Sequence, residues 1–163
     1  PNPVLFLEHK RTYRLFRQEI DGAPAETRIG KARVTRKGDD LTIFAYGLML
    51  HESLAAAEAL SAEGTECTVV DLLTLNPLDR ETILETAKAT GKVLIVHEDT
   101  LTGGLGGEIA AIIAEHAFED LDAPIRRGAG PDIPPMPYPH AMEDLFMPNR
   151  EKIAAAAREL AAY

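Results

Sequence analysis

The chain has 163 residues, 45% hydrophobic and 26% charged, which fits one domain with its own core and excludes wholesale disorder. Lysine and arginine number 17 against 26 acids, a net charge of −9. That balance excludes duplex nucleic acid and anionic membrane as main partners and leaves room for a basic protein partner. A single cysteine, Cys67, excludes a disulfide framework and a cysteine-based zinc site, and no apolar run nears the ~20 residues of a membrane helix.

The sequence opens without an initiator methionine, a secretion signal or a small-residue cleavage site, which points to the cytoplasm. Residues 4–7 are an apolar, β-rich run. Residues 1–29 therefore read as the last strand of a preceding domain plus a linker over 18–29; the other reading is a processed terminus with its own edge strand. Residues 32–35 predict a short strand and 37–40 a turn. From there strands and helices alternate. Residues 41–46 predict a strand closed by Gly47, and residues 48–62 a helix with Leu50, Leu54 and Ala57 on one face, ended by Gly64. A strand over 67–72 follows, then a helix opened by Pro77 and capped by Asp79, stopping at Gly91. Residues 93–97 are nearly all apolar, as in a strand buried on both faces. A glycine-rich turn leads to a helix with Ile109, Ile112, Ile113 and Ala117 on one stripe. Residues 125–127 predict a short strand, residues 131–139 an extended loop with five prolines, and residues 149–162 an alanine-rich last helix capped by Asn149. This pitch predicts an α/β domain over residues 30–163: three layers, a mostly parallel sheet of about five strands, and helices on both faces.

Two clusters invite chemistry. Gly103, Gly104, Gly106 and Gly107 open a helix whose free N–H groups are suited to an anion. The spacing does not fit G-x-G-x-x-G, and Glu108 in the first turn repels phosphate. Close approach of a helix or a neighbouring subunit is the better reading. His97, Glu98 and Asp99 end the central strand, where proton transfer or metal binding is conceivable. No second histidine stands at helix spacing, so a solvated or interface strand end is favoured. His116, on the isoleucine stripe, is expected half-buried at an interface. Cys67 is expected to be buried. Residue chemistry alone assembles no active site, and a stand-alone anion-binding or regulatory domain stays open.

The segments at 40–52, 70–79, 90–98, 103–110 and 130–132 resemble, in order, the C-terminal transketolase-like domain of the β subunit of thiamin-diphosphate-dependent 2-oxo acid dehydrogenases. The segment at 8–14 resembles the piece joining that subunit's two domains, with His9 where many relatives have proline. His97 and Glu98 with the glycine cluster look closer to the branched-chain than to the pyruvate type; the equivalent domain of a transketolase-type enzyme is the alternative. The resemblance implies an oxidoreductase that decarboxylates a 2-oxo acid on thiamin diphosphate and Mg2+ and acylates a lipoyl group. The cofactor-activating acid lies in the N-terminal half of that subunit, and the diphosphate and magnesium are held by the α subunit. No catalytic, cofactor or metal residue is therefore carried over, and the isolated chain is expected to be inactive and cofactor-free. The implied partners are the dehydrogenase α subunit, a second β subunit and the basic subunit-binding domain of the dihydrolipoyl acyltransferase. Candidate subunit-interface residues are His97, Glu98, Gly103, Gly104, Gly106, Gly107 and His116. Candidate acyltransferase-docking residues are Glu143, Asp144 and Tyr163.

Overall fold

The computed structural model describes residues 3–15, 17, 19, 22, 27–134 and 136–163; much of the expected 18–29 linker lies outside them. Five strands, β1 (Arg33–Arg36), β2 (Leu41–Ala45), β3 (Cys67–Asp71), β4 (Val93–Thr100) and β5 (Arg126–Gly130), form one sheet in the order β1-β3-β2-β4-β5. β1 runs antiparallel to β3, and all other neighbours are parallel. The helices are α1 (Leu48–Ser61), α2 (Arg80–Thr90), α3 (Leu105–His116), α4 (His140–Phe146) and α5 (Arg150–Ala161), with a 3-10 turn at Lys10–Arg14. No described helix is long and apolar enough to cross a membrane.

The central strands are buried on both faces, and their alternating side chains feed two cores. Leu41, Ile43, Val69, Leu94 and Val96 meet α1 and α5; Phe44, Val70, Val93 and Ile95 meet α2 and α3. The three-layer expectation holds. Cys67 is fully buried, and that burial pushes its thiol up to about 11.

The caps are those the sequence implies. Asp79 accepts from the backbone N–H and the hydroxyl of Thr82, and also from the N–H of Ala32, so one carboxylate both starts α2 and ties it to the edge of the sheet. Burial opposes ionisation of Asp79, but these three donors outweigh it and hold the carboxyl below its ordinary value. Gly91 ends α2 in the left-handed conformation at φ 65°. Asn149 caps α5 by accepting from Lys152 N–H at 2.9 Å.

Three differences from the sequence reading have physical reasons. Residues 4–7 belong to no strand here, and Val4, Leu5, Phe6 and Leu7 are 67–92% exposed, because no described segment of this chain covers them. The last strand runs on to Gly130, because β5 takes its order from pairing with β4 rather than from its own side chains, two of which are missing at glycine. Finally, α4 rises from the end of the proline loop, held by tertiary contacts rather than by propensity.

Candidate functional site

β2 and β4 lie side by side, yet the chain leaves β2 through α1 towards β3 and leaves β4 through α3 towards β5. The strand order reverses between them, and the crevice at the carboxyl ends of such a pair is where open α/β sheets bind ligands. Tyr46 and Gly47 border it from β2, Glu98 and Asp99 from β4. Burial first, then the carboxylates of Asp99 and Glu98, push the Tyr46 hydroxyl above its ordinary value. The crevice is already entered by the chain's own N-terminal segment. The His9 ring lies about van der Waals distance from the Cβ position of Gly47, and its Nε2 meets Glu98 Oε2 at 2.8 Å.

The glycine turn is filled from within. His97 is fully buried, and neither ring nitrogen has a hydrogen-bond partner among the described residues. A Cβ on Gly104 would stand 2.5 Å from His97 Cε1, and one on Gly106 would stand 2.7 Å from Cδ2 and closer still to Nε2. The glycines therefore let the start of α3 pack directly against the imidazole of His97. His97, Gly104 and Gly106, expected at a subunit interface, are sealed by their own chain and offer a neighbour no surface. Glu98 is engaged by His9. Gly103 is exposed and Gly107 half-buried. His116 is more open than expected: its side chain is 40% exposed, and its Nε2 accepts from Arg80 Nη2 at 2.8 Å.

Burial, reinforced by the positive charge of Arg127 and opposed by Asp99, lowers the His97 pKa below its ordinary value. A depressed histidine pKa means the unfolded chain binds the proton first. Stability from this group is then complete above pH ~6.5 and falls as the pH drops from there towards the lowered folded value. The urea midpoint is expected to fall between pH 7.5 and 5.5, and His97→Asn to flatten that fall. An unchanged slope in the variant would show that other groups cause it.

Asp132 fastens this turn to the proline loop. It accepts from Thr102 N–H at 2.9 Å and from the Thr102 hydroxyl at 2.6 Å, and these donors lower its pKa. The sequence marked residues 130–132 by resemblance but gave Asp132 no task; a contact 30 residues away leaves no local signal. Beyond it, Leu101, Arg127, Leu145, Phe146, Lys152 and Ile153 help line a cleft of about 530 Å3 between β5 and α4.

The three docking candidates do not converge. Glu143, partly exposed, and Asp144, exposed, lie on α4, next to Lys152 in the first turn of α5. Tyr163, 64% exposed, follows the other end of α5, about 16 Å further along at ~1.5 Å per residue. Among the described residues, no three His, Cys, Asp or Glu side chains converge as metal ligands.

Comparison with known proteins agrees with this architecture. Residues 30–153 match the family model described as transketolase, C-terminal domain. The chain is 55% identical over 162 residues to the 2-oxoisovalerate dehydrogenase subunit beta of Bacillus subtilis (strain 168), covering 99% of this chain and 50% of that protein. It is 40% identical over 159 residues to the pyruvate dehydrogenase E1 component subunit beta of the same organism, covering 98% and 48%. A solved structure described as a split gene transketolase, inactive beta4 tetramer, superposes with a TM-score of 0.75 at 30% identity, covering 89% of this chain and 46% of that one. The chain thus spans about half the length of the curated relatives it matches. With five strands in this order, helices on both faces and a family match over most of its length, the chain belongs to the transketolase C-terminal domain family.

Proposed function

We propose that this chain acts as the C-terminal domain of the β subunit of a cytoplasmic, branched-chain-type 2-oxo acid dehydrogenase. Its work there is association with a second β subunit and with the α subunit, and docking of the dihydrolipoyl acyltransferase's subunit-binding domain. The carrying observation is the identity gap: 55% to the 2-oxoisovalerate relative against 40% to the pyruvate relative, over nearly the whole chain in both. Residues 1–29 serve as the last strand of the preceding domain and the link to this one, a reading that suits the exposed apolar residues 4–7.

Thiamin diphosphate, with Mg2+, supplies the electron sink for loss of carbon dioxide in such an enzyme. The residues of this chain do not fit that group. At the one glycine-rich helix start the His97 ring packs against Gly104 and Gly106, and a diphosphate would face the carboxylate of Glu108 in the same turn. The role left to these residues is to present surface. Glu143 and Asp144 on α4 and the terminal Tyr163 are the docking candidates, and a net charge of −9 suits a basic partner. Such charges act mainly on the rate and orientation of encounter.

Calorimetric titration of the folded chain with an isolated acyltransferase subunit-binding domain tests this. Binding that weakens as salt rises is expected. Absence of binding at low salt by a chain shown to be folded would remove the docking role and return weight to a transketolase-type or stand-alone domain.

A further inference from the structure

We propose that His9 is a latch that seats the N-terminal segment in the crevice between β2 and β4, with Glu98 as the acceptor that holds it. Residues 3–15 touch the domain very sparingly. All of them are exposed except His9 and Thr12. Their other hydrogen bonds are local: the His9 carbonyl accepts from Thr12 N–H at 2.9 Å and from the Thr12 hydroxyl at 2.7 Å, and Tyr13 donates to Glu8. Among the described residues, the His9–Glu98 contact is the one hydrogen bond that joins this segment to the rest of the chain, across 89 positions.

The contact is well placed for the task. Each of the two side chains is about 30% exposed, so the bond is shielded from water on most of its surface. The carboxylate acceptor makes it a charge-assisted hydrogen bond, stronger than a neutral one. His9 bridges both walls of the crevice, lying over Gly47 behind β2 and bonding Glu98 at the end of β4. Gly47 has φ 58°, a conformation that favours glycine and leaves no side chain in the path of the ring. His9 also opens the 3-10 turn at Lys10–Arg14, its carbonyl accepting from Thr12, so the turn begins at the residue the contact holds. Two consequences follow. The crevice that α/β folds of this kind offer to ligands is closed here by the chain itself. Moreover, Lys10, Arg11 and Arg14 are held at one place on an otherwise acidic domain.

Limited trypsin digestion of the 163-residue chain reads the latch directly, because cleavage after Lys10, Arg11 and Arg14 reports how often the segment is free. His9→Ala and Glu98→Ala are each expected to speed cleavage about tenfold and to speed amide exchange at Thr12 and Leu15 by a similar factor. The double variant is expected to cleave no faster than either single one, and His9→Gln, which keeps a donor near the Nε2 position, to recover much of the protection. The urea midpoint of the domain should stay near that of the parent, since His9 lies outside both cores. Unchanged cleavage in both single variants would overturn the proposal, as would multiplying effects in the double variant, which would mean that the two residues act independently.

Discussion

Gly106→Ala is expected to cost about 2 kcal/mol or more in urea unfolding, although alanine is the better helix former by ~1 kcal/mol. The added methyl would overlap the ring of His97, which is fully buried where β4 faces the start of α3. Gly107→Ala, one residue on, meets only Arg127 Nη1 at 3.6 Å and is expected to be neutral or stabilising by up to ~1 kcal/mol. Gly104→Ala is expected to be at least as damaging as Gly106→Ala, because its methyl would stand 2.5 Å from both His97 Cε1 and the Thr100 carbonyl oxygen. Shrinking the histidine separates the two. In His97→Ala/Gly106→Ala the new methyl enters space the ring has left, so the double variant should be clearly more stable than the sum of the single losses predicts. In His97→Ala/Gly104→Ala the backbone carbonyl still blocks the methyl, and little recovery is expected. Equal costs at Gly106 and Gly107 would mean that the glycines serve something other than the imidazole.

That distinction also marks how far the sequence is legible. Strand–helix alternation, the cap at Asp79, the stop at Gly91 and the burial of 93–97 are local properties, and each is readable from periodicity and cap chemistry. The glycine cluster is readable as a close approach, but not what approaches, because His97 and Gly106 meet only once β4 has turned into α3. Distance in sequence hides the rest. Nothing in His9, Asp132 or Lys152 as residue types separates them from other surface polar groups. Their partners lie at Glu98, at Thr102 and along the α4 carbonyls, and only the assembled sheet brings them near. The spatial relation of Glu143 and Asp144 to Tyr163 is hidden for a related reason. Proximity near the end of the chain is not proximity in space when a helix of 12 residues stands between.

Phe146→Ala is expected to destabilise the chain by about 3 kcal/mol and to free α4 before the rest of the domain unfolds. α4 is a seven-residue helix with no side-chain cap, too short to persist alone. Two contacts hold it. Phe146, buried to 7% exposure, inserts its ring over Gly130 at the end of β5, where a Cβ would stand 2.6 Å from Cζ and 2.8 Å from Cε1. Lys152 donates from one ammonium group to the carbonyls of Asp144, Leu145 and Met147 at 2.7–2.8 Å, neutralising the negative end of the helix. Gly130→Ala should mimic loss of Phe146 without touching it, since the methyl occupies the place of the ring; Lys152→Met should loosen the same helix by a smaller amount. Amide exchange confined to residues 140–147 is the readout that separates release of α4 from general unfolding, and exchange that rises evenly over the domain in all three variants would show that α4 is not a separable unit. Glu143 and Asp144 ride on this helix, so the acyltransferase titration proposed above gives a second readout. If the acids dock the partner, Phe146→Ala weakens binding even where the domain remains folded, and unchanged affinity with α4 released would move the docking surface to the Tyr163 end of α5.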